Sequence, residues 1–159
     1  MRRLQSFGVL LAFVLAGSMT RAADDDALKA GLKALEGKWE IATCQKDGED
    51  QENVVKLGLK LDLKDDRMEI SGSDANFEVQ KWFFKLDVTT TPKLMDVAKT
   101  AEELKDGSKL LEGLYSVDGD TFKFAFQFDG DQPAKGKRPA GLESKAGSGV
   151  MLLTFKKVK

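Results

Sequence analysis

Four phenylalanines at every second position, Phe122, Phe124, Phe126 and Phe128, follow the turn signal Asp118-Gly119-Asp120, and Leu111, Gly113, Tyr115 and Val117 alternate in the same way before it. Asp-Gly between two period-two runs predicts a tight antiparallel hairpin, because glycine supplies the positive φ that such turns need. With a two- or four-residue loop, odd positions before the turn share a face with even positions after it. Tyr115 then lies among the phenylalanines, and Gly113 leaves room for a facing ring. A hairpin this apolar on one face needs other strands to cover it.

Shorter runs of the same period supply them. Trp39, Ile41 and Thr43 alternate with Glu40, Ala42 and Cys44. From Val55 to Lys64, Val55, Leu57, Leu59, Leu61 and Leu63 face one way and Lys56, Gly58, Lys60, Asp62 and Lys64 the other, which predicts a half-buried strand over all ten residues. Met68 and Ile70 form a short strand after Asp65-Asp66. Phe77 and Val79 begin a longer one on odd positions, and Trp82, Phe84, Leu86 and Val88 continue it on even ones, so a bulge is expected near Gln80-Lys81. Leu94 to Ala98 is a further short strand, with a turn at Lys105-Asp106-Gly107. Residues 129–149 read as one long irregular stretch, and Val150 to Val158 as the last strand. About eight strands with one apolar face each predict an all-β domain folded as an antiparallel barrel, which buries those faces together and removes exposed edges. A two-sheet sandwich is the alternative.

The N-terminus has a different character. Met1-Arg2-Arg3, the apolar run Phe7 to Leu15 and the small residues around Ala16-Gly17-Ser18 have the order of a secretory signal peptide, with Thr20-Arg21-Ala22 as its cleavage site. The apolar run is shorter than the ~20 residues that cross a bilayer, so no integral span is expected after cleavage. The domain reading is a leader over residues 1–22, a linker and short helix over 23–36, and the barrel over 37–159. The helix rests on Leu28, Leu32 and Leu35 at helical spacing from about Asp26 to Leu35. The expected destination is the periplasm or the exterior.

Removing residues 1–22 from the 159 leaves 137, enough for one domain with a substantial core. Taking Arg2, Arg3 and Arg21 from the 25 basic residues leaves 22 against 26 acidic, a net −4. That balance argues against nucleic acid as a partner, which requires phosphate neutralisation by Lys and Arg. The single cysteine, Cys44, allows no internal disulfide, and reads as a buried side chain in preference to a reactive thiol or an intermolecular link. Histidine is absent, which removes the usual general base, the usual zinc ligand and the Ser–His and Cys–His pairs. The clusters Asp118-Gly-Asp120 and Asp129-Gly-Asp131 lack the further acids of a calcium loop and read as turns. No catalytic set, metal site or cofactor is therefore expected, and the chain does not read as an enzyme.

Leu35-Glu36-Gly37-Lys38-Trp39, followed by Lys46-Asp47-Gly48, resembles the L-x-G-x-W…D-G opening of a lipocalin-like domain family abundant in planctomycete bacteria. Pro92-Lys93-Leu94-Met95-Asp96, Gly113-Leu114-Tyr115, Asp118-Gly119-Asp120-Thr121-Phe122 and Arg138-Pro139 match later elements of its pattern in the same order, over Leu35 to Lys157. The chain departs from it at Phe124-Ala125-Phe126, where the family often carries a cysteine, and in a longer segment before Arg138. The resemblance implies a lipocalin-like barrel and export, and supplies no activity. By analogy with such barrels, a small apolar or amphiphilic ligand is the expected partner, with Trp39, Trp82, Phe84, Tyr115, Phe122 and Phe124 as wall residues and Arg138 as a polar contact. The alternative is an envelope structural or interaction protein. Bulky aromatics at facing positions favour a packed interior over a cavity. The oligomeric state is left open.

Overall fold

The computed structural model describes residues 17–108 and 110–159. It is an eight-stranded antiparallel barrel, closed on itself, with two short strands outside the ring. The ring strands are β1 (Gly37–Lys46), β3 (Lys60–Lys64), β4 (Arg67–Ser71), β5 (Gln80–Asp87), β6 (Lys93–Ala98), β7 (Leu111–Asp118), β8 (Thr121–Asp129) and β10 (Val150–Lys157). Each pairs with the next, and β10 closes the ring by pairing with both β8 and β1. The short β2 (Glu49–Asp50) pairs with β1, and β9 (Gln132–Pro133) with β8. Closure leaves the ring strands no unpaired edge, which is why so many short runs are stable together.

The hairpin forms as its spacing requires. Asp118 pairs with Thr121 across a two-residue loop, and Gly113, Tyr115 and Val117 face Phe126, Phe124 and Phe122. A Cβ at Gly113 would overlap the Phe124 ring and lie 2.6 Å from the Ala125 carbonyl oxygen, so this position has space only for hydrogen.

Three expectations are corrected. The ten-residue strand from Val55 is only five residues long. Residues Glu52–Lys56 form helix α2, with the Val55 N–H donating to the Gln51 carbonyl at 3.2 Å, and Gly58 then turns through φ +58° before β3 begins at Lys60. The alternation of Leu57, Leu59 and Leu61 describes a row of side chains facing one space, and the backbone beneath them changes from helix to strand. Residues 72–79 are not strand, so Phe77 and Val79 lie in a loop and no bulge is required there; the parity change belongs to loop and strand together. A bulge does occur in β1, where the register with β10 shifts between Ile41 and Thr43 and places Cys44 opposite Leu153. Finally, the turn expected at Lys105-Asp106-Gly107 ends a helix, α3 (Ala101–Asp106). Thr100 and Glu103 form its capping box, and Gly107 is its left-handed cap at φ +85°.

The N-terminal helix α1 spans Gly17–Leu35, beginning well before Asp26. The expected leader lies outside the described residues as far as residue 16, and residues 17–22 are helical and continuous with the rest of α1. No helix of the described residues is long and apolar enough to cross a membrane. Leu28 and Leu32 pack on the barrel core and Leu35 is fully buried. A Cβ at Gly31 would stand 3.1 Å from Val88 and 3.3 Å from the Tyr115 hydroxyl, so α1 lies close over this end of the barrel. Trp39 locks the junction: its indole N–H donates to the Leu35 carbonyl at 2.7 Å, and its ring meets Phe122 edge-on at 5.7 Å.

Candidate functional site

The barrel is filled at one end and hollow at the other. At the α1 end Leu35, Trp39, Leu63, Phe84, Met95 and Phe155 are almost wholly excluded from solvent, and Phe122 stacks on Phe155 at 5.6 Å. Beyond this floor lies a cavity of about 540 Å³. It opens where β1, β4, β6 and β8 end and β3, β5, β7 and β10 begin. The packed interior favoured by the aromatic content holds only at the α1 end. The sequence lists the large side chains but not the height at which each strand places them.

The cavity wall follows from strand period. Leu61, Met68, Ile70, Trp82, Val97 and Leu153 are inward positions of β3, β4, β5, β6 and β10, and all line it. On β8 the phenylalanines form a ladder from floor to mouth, with Phe124, Phe126 and Phe128 at ring separations of 5.3 and 5.4 Å. The mouth is formed by Val54 and Leu57 from α2 and its cap, by Phe77 from the β4–β5 loop, by Leu110 and by Pro133 of β9. Ser73 ties the two sides of this lip together, since its N–H and its hydroxyl both donate to the Leu57 carbonyl, at 2.9 and 3.1 Å. Among the described residues, the only polar side chains lining the cavity are Gln80 and Lys99, both at the mouth. A concave apolar space with few polar groups is the usual form of a small-molecule site, and this volume lies within the ~300–1,000 Å³ such sites span.

The seven candidate residues separate into three groups. Trp82, Phe122 and Phe124 line the cavity. Trp39, Phe84 and Tyr115 are buried in the floor and do not reach its surface. Arg138 is not a wall residue. Its guanidinium lies outside the barrel, pairing with Asp96 and approaching Glu112 at 3.7 Å, while Nη1 donates to the Gly113 carbonyl at 3.1 Å. Asp96 and Glu112 are outward positions of β6 and β7, between inward Met95, Val97, Leu111 and Gly113. An arginine on an irregular segment carries no parity, so its side could not be read from the chain. The lining residues outside the candidate set are the aliphatic wall positions, Phe77, Phe126, Phe128 and Phe155, and Gln80 and Lys99 at the mouth. The signal for Lys99 was present, because Met95, Val97 and Lys99 continue one period-two row.

Elsewhere the chemistry is quiet. Cys44 is buried, and burial pushes its thiol up to about 11, which keeps it protonated at neutral pH. Tyr115 has a buried hydroxyl with no hydrogen-bond partner among the described residues. Burial, and then the charge of Asp87, push it up to about 12. Asp87 itself is held below the usual carboxylate range by hydrogen bonds from the Thr89 hydroxyl and N–H. Among the described residues no three His, Cys, Asp or Glu side chains gather as metal ligands. The chain matches no family model, no curated protein and no solved structure.

Proposed function

We propose that this protein is an exported, non-enzymatic lipocalin-like carrier that holds one small apolar or amphiphilic molecule inside its barrel. The observation that carries this reading is the cavity of about 540 Å³, with apolar walls and both its polar side chains at the mouth. Eight-stranded barrels have the right diameter to hold one small ligand. The leader-like residues 1–22 support export, and the ordered motifs from Leu35 to Arg138-Pro139 support the resemblance to the planctomycete lipocalin-like family. The alternative of an interaction module is less well supported, because the large apolar side chains exposed among the described residues are only Leu57, Val79 and Val158.

Nile red, an uncharged apolar dye, tests the reading. The protein from Ala23 onwards is expected to bind it at one to one with increased fluorescence. Leu153→Trp and Ile70→Phe, which fill the cavity from opposite walls, are expected to weaken binding at least tenfold while keeping the far-ultraviolet circular dichroism of the barrel. Absence of binding by the unaltered protein, or undiminished binding by both folded variants, would overturn it.

A further inference from the structure

Resting on that reading, we infer that the cavity selects a single-chain amphiphile whose head is an anion, with its tail among the phenylalanines and its head at Lys99. The argument begins with where the charge lies. Among the described residues, Lys99 is the only ionisable side chain lining the cavity, and it stands at the mouth, where a head group must remain if a tail fills the apolar interior. Its position is fixed by the sheet. The β5–β6 ladder ends at the pair Phe83–Ala98, so Lys99 follows one step on, in the inward row of Met95 and Val97 and beside Trp82. Gln80, two residues before Trp82 on the same inward row, brings a side-chain amide to the same rim.

The lysine is available to a ligand. Among the described residues no carboxylate lies within 4.0 Å of its ammonium. On its own segment the Glu103 carboxylate accepts from the Lys99 and Thr100 backbone N–H groups at 2.9 and 3.2 Å. That carboxylate is committed to the capping box of α3. On the facing lip the Glu52 carboxylate is paired with Lys56 at 3.1 Å. The rim therefore presents an exposed ammonium on a stem that borders apolar surface, an arrangement in which the alkyl stem follows a ligand tail and the charge stays in water. An anionic head pairs with it, a neutral head gains little, and a cationic head is repelled.

Competition against bound Nile red at pH 8 separates this inference from the reading beneath it, with myristate, tetradecanol and tetradecylamine as competitors of one chain length and three head charges. The unaltered protein is expected to prefer myristate to tetradecanol by roughly three- to tenfold, the range of an exposed to half-exposed ion pair. Tetradecylamine is expected to be weakest. The preference should shrink at 0.5 M salt, vanish in Lys99→Met and persist in Lys99→Arg. Equal affinity for myristate and tetradecanol, or a preference that Lys99→Met retains, overturns the inference while leaving the carrier reading intact. Failure of the unaltered protein to bind Nile red or any of the three chains overturns both.

Discussion

Gly113 shows how one missing atom shapes this barrel. Its inward face meets the ring of Phe124 so closely that a methyl group would overlap that ring, with the Ala125 carbonyl blocking retreat. Phe124 is also a wall of the cavity, so the glycine sets the position of a residue that a ligand would touch. Gly113→Ala is expected to destabilise the protein by about 1–3 kcal/mol, the usual range for overpacking, measured by urea denaturation. It should also weaken Nile red binding in the fraction that stays folded. This much was legible beforehand, since a glycine opposite an every-second-residue row of phenylalanines signals a space for a ring. Trp39 and Tyr115 were legible as core but not as floor. Separating a floor residue from a wall residue requires the height of each strand in the ring, and period-two alternation reports only the side of the sheet.

At the scale of elements, the segment between β8 and β10 illustrates the limit of pattern reading. It looks irregular, yet it covers the outside of the barrel, where Leu142 packs on the small outer cluster of Ala125, Val150 and Leu152. Arg138 fastens it by pairing with Asp96 and donating to the Gly113 carbonyl, and the Glu112 carboxylate accepts from the Gly136 N–H on the same segment. The side chains of Arg138 and Asp96 are mostly buried, which makes the contact stronger than a surface ion pair. Arg138→Met is therefore expected to cost about 1–3 kcal/mol, and to make residues 129–149 the first site of cleavage in limited proteolysis. Dye binding should change little, because the arginine is outside the cavity. Helices α2 and α3 were missed for a related reason. Both have fewer than seven residues, too few for helical periodicity to emerge, and α2 lies inside a run whose side chains alternate as a strand's would.

For the whole molecule, the two groups whose titration burial opposes set an alkaline limit. Cys44 goes from an ordinary 9.0 to about 11, and Tyr115 from 10.0 to about 12, so the folded protein holds both protons more tightly than the unfolded chain. Their contribution is complete below pH 9 and is lost as pH rises through the raised values. Urea midpoints are expected to fall steadily between pH 9 and 12, and Cys44→Ala with Tyr115→Phe should flatten that decline. The all-β content was the most legible property of the chain; closure into a barrel was expected with a two-sheet sandwich as the alternative, and the pairing of β10 with β1 decides for the barrel. What no count of strands conveys is the effect of α1 lying across one end. A barrel sealed there is a vessel with a single door: if it carries a guest as proposed, the guest could not pass through, and the last part of it to arrive would be the first to leave. Loading and unloading cross the same barrier in opposite directions. Stiffening or loosening the lip alone would therefore slow or speed both alike, changing how long exchange takes without changing how much is held.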